Sequence, residues 1–284
     1  MRTFLLFILI TALPGWAHAE IAYLEMRPRI SASAEYLPGQ SGKPAILLLH
    51  GFLQTRDFPT VANLARSLRD AGYPVLVPTL SLGIPNRQRS LACEAIHRHS
   101  LDDDMLEISR WVNWLKSRGH RSTVLIGHSF GSLQLLAYLN GPVDKTVKAY
   151  IGASLIEAKI GATNRSLLIA RLNNQLATDQ MGLVTQELSL CKKYTSTPAG
   201  LLSYVRWDQT QTLSALKNTP VKTLLIMGDA DNILERSWLK TLIHIQTPMV
   251  IVAGANHFMD GEHEFDLLDK TLTFLKTVQR DRTP

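Results

Sequence analysis

The sequence has neither an internal repeat nor a low-complexity tract, and it has little excess charge of one sign. The lack of repeats argues against a solenoid, and the lack of low-complexity tracts argues against an intrinsically disordered chain. The net charge is +6, and no run of Lys and Arg is interleaved with aromatic residues. Nucleic-acid binding therefore has no support in the residue pattern. A charge of this size leaves open only weak attraction to an anionic membrane surface or an anionic substrate.

Long hydrophobic runs are also lacking, except for a short one near the N-terminus. Arg2 supplies a positive charge, residues 4–13 form an apolar core, and Ala17-His18-Ala19 is a small-x-small cleavage motif. This order is typical of a secretory signal peptide, so we expect cleavage after Ala19 and export to the periplasm or the exterior. A spanning helix needs about 20 apolar residues, which makes an uncleaved membrane anchor the less favoured alternative.

Cysteine is scarce: Cys93 and Cys191 are the only two in the chain. Export removes the reducing pool that keeps cytosolic thiols free, so an even number of cysteines favours a disulfide. Two separate buried thiols are the alternative that the sequence leaves open.

The most informative motif is a Gly-x-Ser-x-Gly turn between two apolar stretches, residues 123–126 and 133–139. The motif consists of Gly127, His128, Ser129, Phe130 and Gly131. The pattern predicts a strand, a sharp turn and a helix, in which the glycines remove side chains that would collide. Such a turn presents the serine hydroxyl above the end of a sheet, although a turn serine without a chemical role is the alternative.

An acid and a histidine follow two later strand-like runs. Residues 221–227 lead into Gly228-Asp229-Ala230-Asp231, and residues 249–253 lead into Gly254-Ala255-Asn256-His257. Open α/β sheets place their active sites at the carboxyl ends of strands. A serine nucleophile needs a base, and the base needs an orienting acid. We expect His257 to be the base, with Asp231 and Asp229 as competing candidates for the acid.

An earlier apolar run, residues 44–49, ends in His50-Gly51-Phe52. With the serine, acid and histidine motifs, the pair His50-Gly51 makes the chain resemble the α/β-hydrolase superfamily from about residue 44 to the C-terminus. The resemblance implies an oxyanion hole formed by the backbone N–H groups of Phe52 and Phe130, and it requires no cofactor. Its Gly-x-x-Asp spacing selects Asp231, whereas Asn256 stands where the family often has glycine. His50 and His128 are expected to pack and support rather than to act as bases.

Strand-like and helix-like segments alternate through residues 20–156 and 219–284. This alternation predicts a mostly parallel sheet covered by helices on both faces, the α/β-hydrolase fold. Residues 157–218 break the rhythm with helical periodicity and little strand signal, and the resemblance implies an inserted helical lid there. The segment holds seven Lys or Arg against four Asp or Glu. A disulfide from Cys191 would tie this lid to the loop that carries Cys93.

A cluster of residue types that bind metals lies around the first cysteine. Its members are Cys93, Glu94, His97, His99, Asp102, Asp103 and Asp104. We favour no metal here, because acids suit the first turn of a helix and the histidines in an Arg-rich loop are expected to face solvent.

These observations predict an exported serine hydrolase that cleaves a small-molecule or lipid carboxylic ester through an acyl-serine intermediate. Lipases, thioesterases, peptidases and acyltransferases use the same arrangement and stay open as alternatives. A binding protein with a lapsed site is the alternative from another class, and the intact Ser129, Asp231 and His257 argue against it.

Overall fold

The computed structural model describes residues 18–280. Most of the expected signal peptide therefore lies outside the described residues. The strands are β1 (Glu20–Arg27), β2 (Ile30–Leu37), β3 (Ala45–Leu49), β4 (Val75–Thr79), β5 (Ile96–His97), β6 (Thr123–His128), β7 (Val147–Ala153), β8 (Val184–Leu188), β9 (Cys191–Ser196), β10 (Lys222–Gly228) and β11 (Met249–Val252). The helices are α1 (Pro59–Asp70), α2 (Leu101–Ser117), α3 (Phe130–Leu139), α4 (Arg165–Ala177), α5 (Pro198–Val205), α6 (Gln209–Lys217), α7 (Arg236–Ile243) and α8 (His263–Arg280).

Eight strands form the central sheet in the order β1-β2-β4-β3-β6-β7-β10-β11. The leading strands β1 and β2 pair with each other antiparallel, and β2 runs antiparallel to β4. From β4 to β11 every neighbouring pair is parallel. The prediction of a mostly parallel sheet flanked by helices is confirmed.

Alternate residues of the central strands enter two hydrophobic cores, one on each face of the sheet. Leu47 and Leu49 of β3 join the core that includes Trp111 of α2, whereas Ile46 and Leu48 join the core with α1 and α8. This period of two is what a strand buried on both faces requires. Because both faces of β3 are buried in hydrophobic cores, every residue of the strand is apolar and its carboxyl end is held in place.

Helix α2 begins with a capping box at Ser100. The Ser100 hydroxyl accepts from the Asp103 amide, and the Asp103 carboxylate accepts from the Ser100 amide, which completes a capping box. This cap places the following residue, Asp104, inside the protein rather than in solvent.

The segment 157–218 is inserted between β7 and β10, but it is not purely helical. Besides α4, α5 and α6 it contains the β8–β9 hairpin, and β9 pairs parallel with β5 to give a separate three-stranded sheet. The expectation of little strand structure was wrong here. Val184-Thr185 and Tyr194-Thr195 are good strand formers, but the hairpin gains its stability from pairing with β5, which is remote in sequence.

Candidate active site

The loop between β6 and α3 forms the expected sharp turn. Ser129 has a φ of 56°, a left-handed value that is strained for a residue with a side chain, and it is 3% exposed. A Cβ on Gly127 would lie 2.5 Å from the Ser132 amide nitrogen, and one on Gly131 would lie 2.3 Å from the His50 carbonyl oxygen. Because both obstacles are backbone atoms, the turn accepts only glycine at these two positions.

Ser129, His257 and Asp231 lie together at the carboxyl ends of β6, β11 and β10. The Ser129 Oγ is 2.7 Å from His257 Nε2, and His257 Nδ1 is 2.7 Å from Asp231 Oδ2. The side chains of His257 and Asp231 are 2% and 3% exposed, so this chain of hydrogen bonds is shielded from water. The arrangement can transfer the serine proton to the histidine while the carboxylate holds the ring.

Asp231 is fixed on its other side by the backbone. Its Oδ1 accepts from the amides of Ile233 at 2.9 Å and Leu234 at 3.0 Å. Burial acts to raise the pKa of Asp231, but the hydrogen bonds from His257 and from the two amides outweigh it, and the pKa is lowered. The carboxylate therefore stays ionised beside the histidine.

The competing acid, Asp229, points elsewhere. It is exposed, and its Oδ1 accepts from the Gly254 amide at 2.7 Å. Asn256, which replaces the glycine frequent in the family, closes a local turn because its Oδ1 accepts from the Phe258 amide at 3.0 Å. The turn that contains His257 thus has a side-chain support of its own.

Two further histidines are buried next to the site, and both are neutral. His128 Nε2 donates to the His257 carbonyl oxygen at 2.9 Å, and burial lowers the pKa of His128 to about 4. His50 Nε2 accepts from the Leu80 amide at 3.2 Å, which puts the ring proton on Nδ1, and Nδ1 donates to the Gly51 carbonyl at 2.9 Å. Both rings support backbone groups.

The two residues expected to form the oxyanion hole are in contact through their rings. Phe130 is the first residue of α3, where a helix N–H has no intrahelical acceptor, and its ring lies 4.7 Å from that of Phe52 between centroids. The Gly51 carbonyl accepts from His50 Nδ1 and from the Gln54 amide at 3.2 Å. In a trans peptide the N–H points opposite to the C=O, so these two donors fix the direction of the Phe52 N–H.

The inserted segment packs against these phenylalanines through two buried tyrosines that the sequence analysis missed. The ring of Tyr194, on β9, lies 5.9 Å from that of Phe52, and the ring of Tyr204, on α5, lies 5.7 Å from that of Phe130. No local motif marks these tyrosines, because their neighbours come from distant parts of the chain.

The expectation that His97 and His99 face solvent was wrong. They are 1% and 2% exposed. The pairing of β5 with β9 stacks His97 on Tyr194 at 4.1 Å, and His99 Nδ1 lies 2.8 Å from the Tyr204 hydroxyl. Buried Asp104 accepts from the same hydroxyl, so these side chains form a polar cluster between α2 and the inserted segment.

A disulfide joins Cys93 to Cys191, with 98 residues of sequence separation. It links the loop before β5 to the start of β9. Within the described residues, no group of three or more His, Cys, Asp or Glu side chains is arranged to hold a metal ion. No helix in that same part of the chain is long and apolar enough to span a membrane.

Solved structures with this architecture come from several organisms. The alpha/beta hydrolase GrgF from Penicillium sp. sh18 matches with a TM-score of 0.70 at 15% identity, over 93% of this chain and 100% of that one. Est1E from Butyrivibrio proteoclasticus matches with a TM-score of 0.63 at 15% identity, over 90% and 99%. A thioesterase domain from the curacin biosynthetic pathway matches with a TM-score of 0.60 at 18% identity, over 91% and 99%. Likeness at such identities shows the fold alone.

A comparison with curated proteins found no significant match. A family model described as the alpha/beta hydrolase family, however, matches residues 46–268. The matched span begins in β3 and ends in α8, and it contains Ser129, Asp231 and His257. The chain therefore belongs to the alpha/beta hydrolase family.

Proposed function

We propose that this protein is an exported serine hydrolase that cleaves carboxylic esters of hydrophobic acyl groups. The observation that carries the proposal is the continuous hydrogen-bonded chain from Ser129 through His257 to Asp231, with both links at 2.7 Å. A serine hydroxyl is a poor nucleophile by itself, and this geometry supplies the base and the orienting acid that acyl transfer needs.

In the proposed mechanism Ser129 Oγ attacks the acyl carbonyl and gives its proton to His257 Nε2. The proton on Nδ1 stays in the hydrogen bond to Asp231, whose negative charge stabilises the imidazolium. The N–H groups of Phe52 and Phe130 bind the negative oxygen of the tetrahedral intermediate, and each such donor contributes about 10²–10³-fold to turnover. His257 then protonates the leaving alcohol.

Water completes the reaction by hydrolysing the acyl-serine, with His257 as the base. The hydrophobic acyl group is inferred from the aromatic surroundings, since Phe52, Phe130, Tyr194 and Tyr204 cluster beside the proposed oxyanion donors. Est1E, a structure of which is described as bound to ferulic acid, and the curacin thioesterase domain are family neighbours that favour acyl chemistry over other reactions of the fold. No cofactor takes part in these steps.

The proposal is tested by labelling with a fluorophosphonate probe and by hydrolysis of p-nitrophenyl esters of increasing chain length. Ser129→Ala should abolish labelling and reduce turnover to the contribution of the oxyanion hole and binding, roughly 10³–10⁴-fold over water. Ser154→Ala is the matched control, because Ser154 follows the neighbouring strand β7, is buried, and has a hydroxyl without a partner among the described residues. Labelling that survives in Ser129→Ala would exclude Ser129 as the nucleophile.

Export is a second part of the proposal. It is supported by the N-terminal pattern that ends in Ala17-His18-Ala19 and by a disulfide, which persists in oxidising compartments. The mature protein has 29 basic and 24 acidic residues, a net charge of +5 that is consistent with weak contact to an anionic membrane surface. Mass spectrometry of the exported protein should show an N-terminus at Glu20, whereas a retained Met1 would contradict cleavage.

A further inference from the structure

Arg87 is a buried arginine whose donors all reach backbone carbonyls of two loops. It is 4% exposed, in the loop between β4 and β5. Its Nε donates to the Leu80 oxygen at 2.8 Å, and Nη1 donates to the Arg89 oxygen at 2.8 Å. Nη1 also reaches the Leu53 oxygen at 3.3 Å, and Nη2 donates to the Gln54 oxygen at 2.7 Å. One guanidinium therefore fastens residues 50–54, the HG loop, to the loop after β4.

These contacts hold the part of the HG loop that follows Phe52. Leu53 has a φ of 57°, a left-handed conformation that the surrounding structure must maintain in a residue with a side chain. Arg87 also holds the Gln54 carbonyl. The amide of Gln54 is one of the two donors that orient the Gly51 carbonyl and with it the Phe52 N–H. Movement of Leu53 and Gln54 would therefore turn the proposed oxyanion donor.

His50 Nδ1, the other donor to the Gly51 carbonyl, is linked to Arg87 as well. Arg87 holds the carbonyl of Leu80, while His50 Nε2 accepts from the amide of the same residue. Burial lowers the pKa of Arg87 to about 10, with Asp104 and Glu107 opposing, so the side chain is cationic at neutral pH. Burial, and next the charge of Arg87, lower the pKa of His50 to about 3 and keep its ring neutral.

We propose that Arg87 is a positioning residue, which locks the HG loop so that the Phe52 N–H faces the developing oxyanion. This inference rests on the proposed serine hydrolase function. Arginine suits the role because its planar fork carries five N–H donors in fixed directions, whereas lysine has one flexible ammonium group. A lysine at this position would keep the charge but could not span the two loops.

The test compares Arg87→Lys with Arg98→Lys, which changes an exposed arginine directly after β5. The substrate is p-nitrophenyl butyrate, and the probe for the oxyanion is phenylboronic acid, which forms a tetrahedral adduct with an active serine. Arg87→Lys should lower kcat by roughly 10²-fold, the effect of displacing a catalytic group by about 1 Å, with little change in KM. The inhibition constant for phenylboronic acid should rise in parallel, and Arg98→Lys should behave as wild type.

Arg87→Gln, which leaves no buried cation, is the second variant and should lose at least as much turnover. Boronate that binds wild type and Arg87→Lys equally, or a loss confined to KM, would overturn the role of Arg87 while leaving the serine hydrolase proposal intact. If neither Arg87 variant folds, Arg87 holds the fold as a whole and the positioning role is also overturned. If boronate does not bind the wild type, the proposed function itself fails, and this inference fails with it.

Discussion

Asp231→Asn is the sharpest test of the site, because the backbone dictates how the new amide must lie. Oδ1 of Asp231 accepts from the amides of Ile233 and Leu234, and Oδ2 accepts from His257. An amide NH₂ cannot replace Oδ1, since it would face two N–H donors. The asparagine oxygen must therefore take that position, and its NH₂ must face His257 Nδ1.

The consequence is a change of histidine tautomer. A donor opposite Nδ1 forces that nitrogen to accept, so the ring proton moves to Nε2, which faces Ser129. Nε2 can then no longer take the serine proton. We expect kcat to fall by about 10⁴-fold. At 1.36 kcal/mol for each factor of ten, this corresponds to about 5.4 kcal/mol in the activation barrier.

The assay is steady-state hydrolysis of p-nitrophenyl butyrate, with thermal unfolding measured on the same samples. Asp229→Asn is the matched control, because its exposed side chain keeps an oxygen for the Gly254 amide and should leave turnover close to wild type. The reasoning is refuted if Asp231→Asn loses less than about tenfold, a barrier change of about 1.4 kcal/mol, or if Asp229→Asn loses more than Asp231→Asn.

Three further predictions concern stability. Gly131→Ala should destabilise the fold by about 1–3 kcal/mol or more, since the new Cβ would collide with the His50 carbonyl oxygen. A wild-type melting temperature in thermal unfolding would contradict this close approach. Replacing Cys93 and Cys191 together by serine should increase hydrogen exchange in β9 more than in the central strands; intact mass after alkylation without reductant must show no free thiol in the wild type. Three buried histidines have lowered pKa values: His50, His97 and His128. The histidines of the unfolded chain bind more protons than those of the folded protein as pH falls from 6.5 towards about 4, so the free energy of unfolding should fall over this range. Glu107, whose pKa burial raises to about 7, opposes this in part. Greater stability at pH 5 than at pH 7 in urea unfolding would refute the prediction.

The sequence predicts the central sheet and the neighbourhood of Ser129 well, because both depend on local patterns. The apolar run before Gly127 and the run before Gly228 are buried on both faces, and parallel strands bring their carboxyl ends together. The residues alone could not decide between Asp229 and Asp231. Two amides at Ile233 and Leu234 determine which carboxylate reaches His257, and a backbone turn of this kind leaves no mark on residue type.

The inserted segment was predicted less well for a related reason. Tyr194 is buried where its strand pairs with β5, about a hundred positions earlier in the sequence, and His97 is buried where it stacks on Tyr194. Neither β5 nor β9 by itself has a hydrophobic periodicity that would indicate burial. Polar side chains that satisfy one another across such a distance look like solvent-exposed loops until their partners are known.

The disulfide joins two lengths of chain that each supply part of the site. Residues 178–183, between α4 and β8, are exposed, and they lie inside the covalent loop closed by Cys93 and Cys191. A single proteolytic cut there would give an N-terminal fragment with Ser129 and a C-terminal fragment with His257, and the bridge would be their only covalent link. Such a nicked protein would be a two-chain molecule that runs as one species on a non-reducing gel. A reducing, denaturing gel would separate the two fragments, because only denaturation breaks the pairing of β7 with β10 that otherwise holds them together.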